Sequence, residues 1–72
     1  MNAKYFKSLP LVPGTEQNHT LRQSGRFENP PPIVDFVFDE KLDISYIVDY
    51  AQNRYQQAAE GADYSDWIPF ES

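Results

Sequence analysis

Between Leu42 and Gly61 the chain reads LDISYIVDYAQNRYQQAAEG, and its apolar positions form one pattern. Ile44, Ile47, Val48, Ala51, Tyr55 and Ala58 recur at steps of three, one, three, four and three. On a helix of about 3.6 residues per turn, that spacing draws a single apolar stripe. Ser45, Asp49, Gln52, Asn53, Gln56 and Glu60 occupy the other side. Asp43 suits an N-cap, because its carboxylate can accept from the free amides of a first turn. Leu42 and Ile47 then stand where a hydrophobic staple forms, and Gly61 can take the left-handed conformation that closes a helix. The spacing predicts an amphipathic helix over 43–61. A lone amphipathic helix must cover its stripe, either with the rest of the chain or with another protein.

The flanking patterns predict little regular structure. Residues 1–32 read as an extended, Pro-containing arm with apolar anchors at Tyr5, Phe6, Leu9, Leu11 and Val12. Pro10 and Pro13 turn the residues before them away from helix. Residues 15–29 are polar and aperiodic, and Pro30-Pro31-Pro32 is a stiff spacer. Residues 33–42 form a strand-like or extended lead-in. In a strand Val34, Phe36 and Phe38 share one face, while Ile33, Asp35 and Val37 share the other. Its backbone groups need a partner, either weak pairing with 9–12 or the sheet edge of another protein, unless the segment stays extended and uses its side chains only as anchors. Residues 62–72 end in an aromatic anchor, Tyr64, Trp67, Ile68 and Phe70. It either folds back over the helix stripe or docks on a partner, and side chains of this type dominate interface energetics.

Seventy-two residues allow at most one small domain, with a core that is marginal unless stapled. The chain has no cysteine, hence no disulfide framework or thiolate metal site, and its one histidine, His19, lies in a polar stretch. Asn18-His19-Thr20 matches a glycosylation sequon. Nothing in the N-terminal stretch resembles a secretion signal and no apolar run approaches a membrane span, so the expectation is a soluble intracellular product.

The net charge of −5 is unevenly spread. Residues 1–34 carry four cations against two carboxylates, whereas residues 35–72 carry two cations against nine carboxylates. The acidic half could be a solvated surface, could face a basic protein surface, or could imitate a nucleic-acid backbone. Four scattered cations make no nucleic-acid-binding patch.

Catalysis is not expected. A nucleophile–base–orienter set lacks an imidazole other than His19, and paired carboxylates such as Asp39-Glu40 and Asp63-Asp66 need a pocket to separate their pKa values. Asp39, Glu40 and Asp43 lack the glycine-containing loop of a calcium site, and no Gly-rich phosphate cradle is present. No cofactor or metal is expected.

The run Phe38-Asp39-Glu40-Lys41-Leu42-Asp43-Ile44-Ser45-Tyr46-Ile47-Val48-Asp49-Tyr50 resembles the helix start of microvirus internal scaffolding proteins, especially their gokushovirus-like branches. Its Asp-Ile and Ile-Val elements match, with Tyr50 one position earlier than the aromatic of the family's Ile-Val-x-x-Tyr, Ser45 stands in place of the usual Asn, and Asp63 to Trp67 is similar in its mix of aspartate and aromatics. The likeness covers roughly residues 36–67. It implies a non-enzymatic assembly factor, many copies per particle, that binds viral coat protein on the inner face of pentamers. Such a protein would sit in the host cytoplasm and in the procapsid or virion interior.

The resulting expectation is a mainly α fold with extended arms: one amphipathic helix in a non-globular chain ordered on a partner protein. Partner binding falls to Phe36, Phe38, Tyr46, Ile47, Tyr50, Tyr55, Tyr64, Trp67, Ile68 and Phe70. Two rival readings stand beside it. One is a small acidic inhibitor that occupies a nucleic-acid site through Asp35, Asp39, Glu40, Asp43 and Asp49; the other is a permanent minor capsid or tail protein.

Overall fold

The computed structural model describes residues 2–13, 19–20 and 32–71. The polar stretches and the first prolines of the 30–32 run lie outside them, as do the sequon's Asn18 and the side chain of His19. A short helix α1 (Ala3–Lys7) is followed by β1 (His19–Thr20), β2 (Ile33–Asp39), β3 (Ile44–Asp49), β4 (Arg54–Ala59) and β5 (Ile68–Pro69). The strands form one antiparallel sheet in chain order.

This overturns the expected α fold. Residues 43–61 are not a helix but the second half of a β-meander, in which β3 pairs with β4 from Ile44↔Ala59 to Asp49↔Arg54. The cause lies in β3. It is the central strand, and Tyr46, Ile47, Val48 and Asp49 are all buried, two on each face. A strand covered on both faces carries a continuous apolar run, so its two-residue alternation vanishes. The run Ile44, Ile47, Val48 then passes for a helical stripe, although its β-branched side chains favour a pleated backbone. Asp43 is no N-cap: its φ is 57°, in the left-handed region, where it ends the β2–β3 turn. Gly61 (φ 79°) closes a turn in which the Ala62 amide donates to the Ala59 carbonyl at 3.0 Å. Nor is the chain non-globular. Its radius of gyration is 11.6 Å, beside about 11 Å expected for a compact domain of this length.

Strand β2, left without a hairpin partner by sequence reasoning, pairs with β3 from Asp35↔Val48 to Asp39↔Ile44. Its outer edge takes residues 10–12, within the 9–12 segment named by one of the sequence options. Leu11 bridges Val37, Val12 donates to the Phe36 carbonyl at 2.9 Å, and Phe38 donates to the Pro10 carbonyl at 3.1 Å. The tail runs along the outer edge of β4. There Ser65 donates to the Gln57 carbonyl, Tyr55 faces Ile68, and Phe70 donates to the Asn53 carbonyl at 2.8 Å. A bare edge invites pairing with other chains; here residues 10–12 and β1 line the outer side of β2, and the C-terminal tail lines that of β4.

The main core lies between α1 and one face of the sheet. Phe6, at 0 % exposure, is its centre, with ring centroids 5.1 Å from Tyr46, 4.9 Å from Tyr55 and 5.4 Å from Phe70. Val37 and Val48 complete the buried cluster, and Leu9, Ile44, Tyr50 and Ile68 pack around it. Burying a side chain such as Phe6 contributes about 1.5–3 kcal/mol. The opposite face buries Val34, Ile47, Ala58, Asp49 and Gln56, the last donating to the Ser65 carbonyl at 2.8 Å.

Candidate functional site

Both hairpins use the same four-residue turn. Asp39 precedes Glu40–Asp43, and Asp49 precedes Tyr50–Asn53. The Asp39 carboxylate accepts from the amides of Lys41 (2.9 Å) and Leu42 (3.1 Å), and the Asp49 carboxylate accepts from the amide of Gln52 (3.2 Å). Each turn ends in a residue of positive φ, Asp43 at 57° and Asn53 at 54°. Aspartate and asparagine tolerate that conformation better than other residues with a side chain.

Register converts these turns into a surface. Asp39 faces Ile44 and Ile44 faces Ala59, so the 40–43 turn and the turn after β4 lie side by side at one end of the sheet. Glu40, Asp43, Glu60 and Asp63 are all exposed there, with Lys41 as the neighbouring cation. Leu42, 53 % exposed, stands among them. Between the turns lies a cleft of about 310 Å³ lined by Phe38, Asp43, Ser45 and Glu60. Tyr64 borders this region; burial pushes its hydroxyl pKa up, and a hydrogen bond with Ser45 partly offsets that.

Two polar clusters brace the acidic end and its opposite. On the helix-covered face the Tyr5 hydroxyl donates to Asp39 and lies 3.3 Å from the Tyr46 hydroxyl. That bond, then the Leu42 amide, holds the Asp39 carboxyl below its ordinary range; burial, then the same bond, raises Tyr5. At the other end Asp49, 1 % exposed, binds Arg54 Nε at 2.9 Å and Gln52 Nε2 at 3.2 Å. The Arg54 guanidinium in turn lies 4.1 Å from the centre of the Trp67 ring.

The residues expected to bind a partner fall mostly inside the molecule. Tyr46, Ile47 and Tyr55 are buried; Phe36, Phe38, Tyr50, Trp67, Ile68 and Phe70 are half-buried; Tyr64 alone of the ten is exposed. Trp67, Ile68 and Phe70 fold back on the chain's own sheet, the alternative to docking that the sequence left open. Of the five proposed phosphate mimics, Asp39 and Asp49 serve the turns and Asp35 is half-buried, while Glu40 and Asp43 reach solvent. Sequence reasoning missed Glu60, Asp63 and Leu42 as neighbours of Asp43. The repeated Asp-x-x-x-Asp/Asn at 39 and 49 marks the two hairpin turns, but nothing in residue order sets Glu60 and Asp63 beside the first of them.

Among the described residues no group of three or more His, Asp or Glu side chains is placed to hold a metal ion. Among them, too, no helix is long and apolar enough to cross a membrane. What the acidic end offers chemically is a set of exposed carboxylates on adjacent turns beside an exposed aliphatic side chain, an arrangement for contact with a basic surface. No family model matches the chain, and comparisons with curated proteins and with solved structures find no significant match.

Proposed function

We propose that this chain is a non-enzymatic binding protein whose acidic end docks on a basic surface of another protein, of the kind that otherwise holds a nucleic-acid backbone. One observation carries this reading: strand register gathers Glu40, Asp43, Glu60 and Asp63, all exposed, around exposed Leu42. Opposed charges speed encounter and fix orientation, and an apolar anchor among them supplies contact that salt does not screen. A compact fold suits such a role, since little ordering entropy is lost on binding. The test is titration of the isolated protein with a decalysine peptide, followed by amide NMR shifts. The expected shifts concentrate at 40–43 and 60–64, weaken with added salt, and shrink in Asp43→Asn/Glu60→Gln. Shifts spread evenly over the surface would contradict the reading.

A second reading, an internal scaffolding protein that binds coat protein, rests on the likeness of residues 36–67 to the microvirus motif. Any such contact would be made by turns and sheet, since the helix it implied is β3 and β4. Density-gradient separation of particles tests it. Presence in empty precursors and absence from DNA-filled particles supports scaffolding; presence in both marks a permanent minor capsid protein; absence from particles removes both.

A further inference from the structure

We infer that residues 2–12 form a releasable strap, locked by the Tyr5–Asp39 hydrogen bond, whose departure bares the outer edge of β2 at Phe36–Phe38 and the aromatic face of the sheet without unfolding the β2–β3–β4 meander. The strap and the meander are held by different kinds of contact. Strand β3 is registered with β2 over five residue pairs and with β4 over six, so its backbone is secured along its whole length. The strap is held at points. Phe6 inserts its ring, Tyr5 reaches Asp39 and Tyr46, and Lys7 lies 5.2 Å from the centre of the Tyr50 ring. Its backbone joins β2 where Val12 donates to Phe36 and Phe38 donates to Pro10.

Helix α1 cannot keep itself in place. It has five residues, far below the length at which a helix persists alone, and its own supports are the Asn2 side chain on the Tyr5 amide (3.0 Å) and the closing bonds from Ser8 and Leu9. Its order therefore depends on docking. Segments with few attachments open at lower free energy than the core, in cooperative units of their own.

Asp39 is the lock because it holds both parts. One carboxylate oxygen takes the Lys41 and Leu42 amides and shapes the turn; the other takes the Tyr5 hydroxyl. The titratable groups that act on it are Tyr5 from α1 and Lys41 from the turn, and the Tyr5 hydroxyl in turn meets that of Tyr46 from β3. Ser8, Leu9, Pro10, Glu40 and Lys41 help line a cleft of about 370 Å³ between strap and turn. Solvent thus already reaches the seam along which the strap would part.

The test is amide hydrogen exchange of the full chain, wild type and Tyr5→Phe, at neutral pH and low urea. The Val12 and Phe38 amides report the strap; amides of the β3–β4 ladder report the meander. In the wild type the strap amides are expected to exchange through an opening with a smaller urea dependence than the ladder. In Tyr5→Phe their protection is expected to fall tenfold or more, while that of the ladder stays within twofold. Equal loss in strap and ladder, unchanged strap protection, or a Tyr5→Phe chain that does not fold would each overturn the inference. Strap and ladder amides with one urea dependence in the wild type would do so without any variant.

Discussion

Asp39 and Asp49 occupy equivalent places in two consecutive turns, ten residues apart, and each spends its carboxylate on the amides of its own turn. The equivalence stops at the second carboxylate partner. Asp39 reaches outward to Tyr5 of α1, while Asp49 pairs with Arg54 at the far side of its turn. One turn thus ties the sheet to the N-terminal segment and forms the acidic end; the other joins the sheet to the aromatic tail through Arg54 and Trp67.

The positive φ values at Asp43 and Asn53 set the first expected outcome. A β-branched residue there pays the full left-handed cost, so Asn53→Val should destabilise the protein by about 1–2 kcal/mol in urea unfolding. Asn53→Gly should be neutral or slightly stabilising, because glycine adopts this conformation freely. A helix over 43–61 would reverse the order, since glycine weakens a helix interior more than valine does.

Arg54→Ala leaves the Asp49 carboxylate, 1 % exposed, without its cation. Removing one partner of a buried ion pair costs about 3–5 kcal/mol. Much of the stability of a domain this small would go with it. Trp67, stacked on Arg54, is the only tryptophan, so its emission should shift toward that of a solvated indole.

Phe6→Ala removes the centre of the aromatic cluster and should cost about 3–5 kcal/mol. Near-ultraviolet circular dichroism is expected to lose most of its intensity, because Tyr46, Tyr55 and Phe70 take their fixed orientation from the Phe6 ring.

Stability is expected to fall at both ends of the pH scale. The Asp39 carboxyl is held below its ordinary value of 3.8, chiefly by the Tyr5 hydroxyl, so the folded state favours the ionised form. That contribution is present above pH 3.8 and is lost as pH falls through the lower, folded-state value. Asp39→Asn should therefore lower the melting temperature at pH 7 and flatten its decline in acid. Tyr50, Tyr55 and Tyr64 are raised above 10.0, each mainly by burial, so the folded state favours the neutral phenols. Their contribution is present below pH 10 and is lost as pH climbs through the raised values. Phenolate absorbance should rise together with loss of structure, not ahead of it.

Much of the local pattern was legible in the sequence. The facing of β2 and the uneven charge could be read from residue order, the pairing of its edge with the N-terminal segment stood as one option among three, and Gly61 was legible as a left-handed residue but not as part of a turn between strands. What failed was the period of β3 and β4. In Ile44 to Val48 both faces are buried, and in β4 the polar Gln56 is buried beside Tyr55, so hydrophobicity no longer marks which face points inward. Asp43 misled for a related reason. A carboxylate before a β-branched run caps a helix and ends a hairpin turn equally well, and only the backbone angle separates the two. The acidic end could not be read because it depends on register, which brings Glu60 beside Asp43 across seventeen positions of chain.

Everything proposed for the acidic end depends on that register, and nuclear Overhauser spectroscopy of the isolated chain tests it directly. The expected spectrum has cross-strand contacts linking Asp39 with Ile44, Ile44 with Ala59 and Val48 with Tyr55, in the absence of any partner. Contacts between residues three and four apart through 44–58, or a collapsed spectrum without cross-strand contacts, would contradict the account.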